Sequence, residues 1–167
     1  AGGGHIPVFR ESAARAGDAY REAIAALRRG EVVAFYPEAT YTADPDGWPM
    51  KAKNGIGRIA LVTGAPVIPG ANWGTQDLLP PDRPLRPFPR KTVQVVAGPP
   101  VDLSRWLPGP RTRTALDGAT AAIMADITGL VAGIRGAKLS DLSQHVTDVL
   151  AIVLDAADEY QVGSLVL

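Results

Sequence analysis

The sequence predicts an α/β fold in which a mixed sheet is flanked by helices. Two observations predict it: amphipathic runs with apolar residues three and four positions apart, and short continuous apolar runs between them, which are typical of helices and buried strands respectively. A third observation, two amphipathic runs near the C-terminus separated by a few residues, predicts a helical hairpin. We therefore divide the chain into an α/β part, residues 1–136, and a C-terminal helical extension, residues 137–167.

Composition agrees with one ordinary domain and excludes several protein classes. The 167 residues are 46% apolar and 20% charged and include 18 Gly, 15 Pro and no Cys, which excludes collagen, low-complexity disorder and a disulfide scaffold. Seventeen basic side chains balance seventeen acidic ones, so we predict no nucleic-acid partner. No window holds the roughly 18 consecutive apolar residues of a membrane-spanning helix.

The first predicted helix leads directly into the first predicted strand. Apolar spacing predicts a helix over residues 12–29, which Gly30 ends. Residues 31–36 form a nearly continuous apolar run that Pro37 closes, and this predicts a strand buried on both faces. A helix followed at once by a buried strand is typical of α/β proteins.

The middle of the chain alternates between irregular and regular segments. Residues 41–52 contain two Pro, one Gly and two Asp without an apolar period, so they predict a loop. A short helix is predicted at about residues 54–63, followed by a strand at 65–71. The Pro-rich stretch 80–89 excludes regular structure, and residues 91–97 predict a further strand.

The two C-terminal amphipathic runs predict helices over residues 112–136 and 140–159. Aspartates flank the apolar stripe of the second, which suits protein better than anionic lipid as its packing partner. That partner is either the preceding helix or a second copy of the chain, which would give a homodimer through residues 140–159. The stripe consists of Leu142, Val146, Val149, Leu150, Val153, Leu154 and Ala157.

One carboxylate lies where α/β proteins place ligands. Glu38 follows the carboxyl end of the predicted strand 31–36, and open α/β sheets bind ligands at that edge. It could accept hydrogen bonds from a polyol, and Pro37 fixes the backbone beside it. The same pattern also fits a solvated loop glutamate.

Three cations flank this loop in the sequence. Arg10 follows a short extended run, and Lys51 and Lys53 precede the short helix whose amino end is near Asn54 and Gly55. A helix N-terminus with adjacent cations can hold a phosphate. Unpaired surface cations are the alternative interpretation.

Other familiar kinds of chemistry find little support. Asp44 and Asp46 surround a proline, and Asx turns explain them without a metal ion. Neither His5 nor His145 has a carboxylate five positions further on, so neither fits a catalytic base. We expect no metal site.

Five segments, taken in order, resemble a known family. They look like the second, third and fourth blocks of the glycerolipid acyltransferases, in particular bacterial 1-acylglycerol-3-phosphate acyltransferases of actinobacterial type, over about residues 4–135. The segments are Gly4-His-Ile-Pro-Val-Phe-Arg10, Ala34-Phe-Tyr-Pro-Glu-Ala-Thr40, Asp44-Pro-Asp-Gly-Trp-Pro-Met50, Lys53-Asn-Gly55, and Gly64-Ala-Pro-Val-Ile-Pro69 followed by Trp73-Gly-Thr-Gln76.

The resemblance implies a fold, an activity and a set of site residues. The fold is that of glycerol-3-phosphate acyltransferase, and the activity moves an acyl group from acyl-CoA or acyl carrier protein to lysophosphatidic acid, with no other cofactor. By resemblance, Arg10 contacts the acceptor phosphate, Glu38, Thr40 and Lys53 belong to the acceptor site, and Pro69 shapes the wall of the acyl pocket.

The family's first block, a His followed after four residues by an Asp, supplies the general base and is expected upstream of Gly4. We therefore expect this chain to be an incomplete, inactive part of the family domain. The membrane surface would be contacted through missing N-terminal parts, peripherally and on the cytoplasmic face of a bacterial cell membrane.

The third block departs from the usual Pro-Glu-Gly-Thr followed by Arg-Ser. Ala39 replaces the Gly, a backbone position that favours positive φ, and Tyr41 and Thr42 replace the Arg-Ser pair. One phosphate-binding cation is therefore missing, and Lys51 or Lys53 would have to replace it. The alternative hypothesis is a non-catalytic remnant of the acyltransferase fold that binds lipid or a protein partner.

Overall fold

The computed structural model describes residues 4–6, 13–81 and 83–136. Within these ranges the chain forms four helices and two strands. In chain order they are α1 (Ala13–Arg28), α2 (Gly55–Thr63), β1 (Gly70–Trp73), α3 (Thr75–Leu78), β2 (Gln94–Ala97) and α4 (Arg113–Gly136).

The three longer helices confirm the predictions made for residues 12–29, 54–63 and 112–136. Their ends follow from local chemistry. Gly64 adopts a left-handed conformation with φ of 68°, and its N–H donates to the carbonyl of Ala60 at 2.8 Å. A glycine in this conformation is a common way to end a helix because it carries no Cβ.

The sheet of the described residues is a two-stranded antiparallel pair, in which Gly70 lies opposite Ala97 and Trp73 opposite Gln94. The strand predicted at 65–71 is displaced, since β1 shares only Gly70 and Ala71 with it, and β2 covers the last four residues of the strand predicted at 91–97. Beyond the ladder, the N–H of Gly98 donates to the carbonyl of Pro69 at 2.9 Å. Gly74, which follows β1, has φ of 96°, and a Cβ there would lie 2.1 Å from the carbonyl oxygen of Thr92. Only glycine allows the two segments of the chain, at Gly74 and at Thr92, to approach this closely.

The prediction of a buried strand over residues 31–36 is wrong. This segment pairs with neither β1 nor β2, and 81% of Tyr36 and 37% of Phe35 are exposed. An apolar run becomes a buried strand only when neighbouring strands bond its backbone and layers cover both faces. The structure shows no such neighbour among residues 4–6, 13–81 and 83–136. The mixed sheet stays a prediction, and the extension 137–167, with its hairpin and dimer, lies outside the described residues.

The main core forms where α2 packs against α4. Leu61 of α2 and Ile123 of α4 are buried to 2% and 1% exposure. Gly57 lets the helices approach closely, because a Cβ at that position would lie 2.6 Å from the carbonyl oxygen of Leu116. Arg111 adds a polar link, donating from Nε to the carbonyl of Leu61 at 2.9 Å.

A second apolar cluster joins the other end of α4 to the sheet. Val131 and Ile134 are buried with Ala71 of β1, and Trp48 and Trp73 pack against them. This cluster connects the loop that precedes α2 to the scaffold.

By length and composition alone, helix α4 is apolar enough to cross a membrane: its mean hydropathy is 1.4, and 28% of its most apolar stretch is buried. Core helices of soluble proteins can have the same length and composition. Because α4 packs against α2 and both strands, we interpret it as the central packing helix of this domain.

Candidate functional site

The candidate site is built on residues 36–53, which we call the site loop. Its first turn presents Glu38: the N–H of Ala39 donates to the carbonyl of Tyr36 at 3.1 Å, and Ala39 adopts φ of 57°. Among the described residues Ala39 is the only non-glycine residue with positive φ. The prediction that this position favours positive φ is therefore confirmed.

Glu38 is half-buried and is held from the far end of the loop. Its Oε2 accepts a hydrogen bond of 2.7 Å from the backbone N–H of Met50. A carboxylate that accepts a backbone N–H has a fixed position, and its second oxygen keeps its capacity to accept hydrogen bonds. Glu38 is thus fixed by a contact within the loop, and its second oxygen is the one left to accept a hydrogen bond from a ligand.

The tip of the loop folds on itself through side chains. The hydroxyl of Thr42 donates to the carbonyl of Trp48 at 2.6 Å. Oδ1 of Asp44 accepts from the backbone N–H groups of Asp46 at 2.9 Å and of Trp48 at 3.1 Å. The prediction of an Asx turn is confirmed, and this turn uses the Asp44 carboxylate for local structure.

A cation between two indole rings anchors the loop to the scaffold. The guanidinium carbon of Arg135, in the last turn of α4, lies 4.2 Å from the ring centroid of Trp48 and 4.7 Å from that of Trp73. Both distances are within the range of cation–π attraction. Gly47 belongs to the same contact, since a Cβ there would lie 3.1 Å from the Trp73 ring.

The amino end of α2 does not form the open phosphate site that the sequence indicated. The Tyr20 side chain covers Gly55 so closely that a Cβ there would lie 2.4 Å from its hydroxyl oxygen. Nδ2 of Asn54 donates to Oδ1 of Asp117 at 3.2 Å. Because this carboxylate places negative charge beside the helix end, it opposes a bound anion there. Lys51 and Lys53 themselves are exposed.

The remaining predicted site residues are distributed as follows. Thr40 is exposed directly after the Glu38 turn, and Arg10 lies outside the described residues. Pro69 is buried, next to β1, where its carbonyl pairs with Gly98. The structure thus brings Glu38 and Thr40 together in one turn and shows no contact between them and Pro69.

The described residues also form an open groove of about 300 Å³ away from Glu38. It runs between the end of α2 and the segment before α4. Its lining consists of Gly64, Ala65, Pro66, Val67, Pro100, Val101, Asp102, Leu103, Ser104 and Leu107. Ser104 lowers the pKa of the Asp102 carboxyl by hydrogen bonds from its side chain and its backbone N–H, the latter 2.9 Å long.

With this geometry established, one comparison with known proteins bears on the class of chemistry. Residues 2–73 match the acyltransferase family. The match extends from before Arg10 to the end of β1 and includes Glu38 and Pro69. No curated protein and no solved structure matches the chain. The acyltransferase match supports acyl transfer as the activity and places the whole site loop inside the matched region.

Sequence reasoning missed the residues that hold the site loop in place. Met50 is 12 positions along the chain from Glu38, whose carboxylate it binds. Arg135 is 87 positions from Trp48 and 62 positions from Trp73, the two indole rings that it contacts. Two tryptophans in the matched region, Trp48 and Trp73, were the available signal for a stacked cation. Nothing in the sequence indicates which arginine supplies it.

Proposed function

We propose that this chain supplies the acceptor side of an enzyme that moves an acyl group from acyl-CoA or acyl carrier protein to lysophosphatidic acid or a related lysophospholipid. The product is phosphatidic acid, an intermediate of phospholipid biosynthesis. The observation that carries the proposal is the fixed Glu38 carboxylate inside the acyltransferase match.

In this proposal Glu38 orients the glycerol part of the acceptor. Oε2 is bound to the Met50 N–H, so Oε1 would accept a hydrogen bond from a substrate hydroxyl. When the acceptor is held in position, its reaction with the acyl donor no longer depends on a random collision and proceeds almost as a unimolecular step. Thr40, beside it in the same turn, would add a second polar contact.

The acyl transfer itself follows from the chemistry of thioesters. The acceptor hydroxyl oxygen attacks the thioester carbonyl carbon, a C–O bond forms, the C–S bond breaks, and the thiol leaves with a proton. The hydroxyl proton must pass to a general base. The family's base is the His of a His-x4-Asp block, and this sequence contains no His followed by Asp at that spacing.

The acceptor phosphate would be held by cations from both sides of the site loop. Arg10 precedes the site loop within the matched region, and Lys53 is the last residue of the loop. Because the Asp117 carboxylate lies beside the amino end of α2, bound to the Asn54 side chain, we assign the phosphate to these cations rather than to the helix end. Such an enzyme would work as a peripheral protein on the cytoplasmic face of a bacterial cell membrane.

A second candidate function is a non-catalytic remnant that keeps lipid or partner binding. One observation favours it: Tyr41 and Thr42 stand where the family has Arg-Ser. The coding sequence that precedes the codon for Ala1 separates the candidates. A His-x4-Asp block encoded there supports the enzyme, and its absence supports the remnant.

The acceptor site is tested by calorimetric titration of the chain with a short-chain lysophosphatidic acid below its micelle concentration. Glu38→Gln and Arg10→Ala are each expected to weaken binding by about tenfold or more, because each removes a charged hydrogen-bonding partner. Glu22→Gln and Arg28→Ala, at exposed positions of α1, are the matched controls. Equal affinities for the site and control variants would contradict the acceptor site.

Turnover provides the second test. Without a general base, roughly 10²- to 10⁴-fold of rate is lost, so the 167-residue chain is expected to show no acyl transfer from acyl-CoA to lysophosphatidic acid. Release of the thiol is the measurement. Turnover that His5→Ala abolishes would make His5 the base and overturn this expectation.

A further inference from the structure

Residues 83–91, which we call the basic loop, concentrate positive charge in a chain that is neutral overall. The sequence is Arg83-Pro-Leu-Arg-Pro-Phe-Pro-Arg-Lys91, with four cations and no carboxylate among nine residues. The loop lies between α3 and β2, outside the region matched by the acyltransferase family. Its charge is therefore a local feature that the proposed acceptor site does not use.

Two large apolar side chains stand between these cations and face solvent. Phe88 is 83% exposed and Leu85 is 59% exposed, and all nine residues of the loop are exposed. Exposed apolar groups that are surrounded by polar residues mark interaction surfaces. The backbone is nevertheless attached to the scaffold, because the N–H of Arg86 donates to the carbonyl of Leu78 at 2.7 Å.

The cations of the basic loop take no part in the ion pairs of the described residues. The acids of those pairs are Asp18, Glu22, Glu31 and Asp117, and their partners are Arg21, Arg29 and Arg113. The arginines placed over indole rings are Arg105 and Arg135. Asp82, which directly precedes the loop, lies outside the described residues, and none of the described carboxylates forms an ion pair with the loop.

We propose that the basic loop binds the surface of a membrane that contains anionic lipids. Its cations would contact lipid phosphates, and Leu85 and Phe88 would enter the boundary between headgroups and acyl chains. Interfacial binding combines these two contributions, apolar burial and attraction to anionic headgroups. Leu85 and Phe88 alternate with Arg83, Arg86 and Arg90 along the loop, so one segment supplies both contributions.

A lipid surface fits these residues better than a protein groove does. Domains that bind proline-rich segments bind the proline rings in aromatic-lined grooves. In this loop the most exposed large side chain is Phe88, with cations on both sides of it in the sequence. The proposal stands on charge and exposure, so it does not depend on the acyltransferase assignment.

The first experiment is cosedimentation of the full 167-residue chain with vesicles. Vesicles of phosphatidylcholine with phosphatidylglycerol are compared with vesicles of phosphatidylcholine alone. Binding to the anionic vesicles is expected, and it should weaken as salt is raised towards 1 M, because the screening length falls to about 3 Å. Failure to bind anionic vesicles, or equal binding to both compositions, overturns the proposal.

Variants locate the binding surface. Each cation near an anionic surface contributes roughly a fivefold gain in partitioning, so Arg86→Gln with Arg90→Gln is expected to weaken binding more than tenfold. Arg28→Gln with Arg58→Gln removes two exposed cations elsewhere and is the charge-matched control.

The apolar contribution is tested with Phe88→Ser. Tyr36→Ser is its control, because the two side chains are about equally exposed, Phe88 to 83% and Tyr36 to 81%. Equal losses in loop and control variants overturn the proposal.

Insertion is measured directly with a fluorophore, since the chain has no cysteine. Phe88→Cys and Tyr36→Cys each provide one labelling position for an environment-sensitive dye. With anionic vesicles, a blue shift at position 88 and none at position 36 supports docking through the basic loop. A shift at position 36 alone, or at neither position, overturns it. This readout uses folded, labelled protein and does not require the multiple variants to fold.

Discussion

The helical scaffold and the site loop are held together by different kinds of contact. In the scaffold, α2 and α4 meet through buried apolar side chains and through Gly57, where backbone approaches backbone. The site loop depends instead on a few side-chain contacts: Glu38 to Met50, Thr42 to Trp48, and Arg135 to two indole rings. The difference implies that single substitutions can displace the site loop while the scaffold stays folded.

The largest effect is expected at Gly57 in the scaffold. Gly57→Ala places a Cβ 2.5 Å from the hydroxyl oxygen of Thr120 and 2.6 Å from the carbonyl oxygen of Leu116, and overpacking of this kind costs about 1 to 3 kcal/mol. Denaturant unfolding measures the loss. Gly129→Ala, on a part of α4 where a Cβ meets no atom within 4 Å, is the control and should gain up to about 1 kcal/mol. Stabilisation by both changes would contradict the close helix contact.

The next effect is expected where the two regions meet. Arg135→Ala removes the cation from both indole rings and should cost about 1 kcal/mol, with a change in near-ultraviolet circular dichroism from Trp48 and Trp73. Arg105→Ala is the control, because its guanidinium lies further away, 5.8 Å from the Trp106 centroid. A larger spectral change for Arg105→Ala would refute the anchoring role of Arg135.

A smaller effect of opposite sign is expected inside the site loop. Ala39 has φ of 57°, a conformation that costs a residue with a Cβ roughly 1 kcal/mol or more. Ala39→Gly should therefore raise the free energy of unfolding, by about 0.5 kcal/mol after the entropy of glycine is subtracted. Ala43→Gly, at an exposed loop position without positive φ, should lower it. If both substitutions change the free energy of unfolding in the same direction, the backbone at Ala39 is not strained.

The smallest effect concerns Asp102 beside the open groove. Ser104 lowers the pKa of its carboxyl in the folded state, so its contribution is present above the unfolded pKa of about 3.9 and is lost as pH falls through the folded value. The melting temperature of Asp102→Asn should be slightly below that of the native chain at pH 7, and the difference should vanish at pH 2. Asp126→Asn on α4 is the control. A difference that grows on acidification would contradict the assignment.

The sequence was informative wherever the deciding contacts are local. Helix periods and the turn at Gly64 gave α1, α2 and α4 close to their observed ends, and the Asx turn at Asp44 followed from two aspartates around a proline. Residues 31–36 could not be assigned correctly because burial of an apolar run depends on neighbours that the run does not encode. The site followed the same rule: Glu38 was expected at the end of a strand that the described residues do not form, and its partner Met50 was not foreseen. The positions of Arg10 and of residues 137–167 stay predictions.

The exposed apolar run at residues 31–36 has a consequence for handling the protein in solution. An extended, uncovered segment with strand-forming side chains such as Val32 and Phe35 is a template for pairing with another chain. Self-association through this segment is therefore expected to increase with protein concentration. The flanking residues limit this pairing, because Arg28, Arg29 and Glu31 put charge at one end and Pro37 removes a backbone donor at the other. The charged residues and Pro37 leave an uncharged, proline-free segment of only about five residues, which is shorter than the six or seven residues of stable fibril cores.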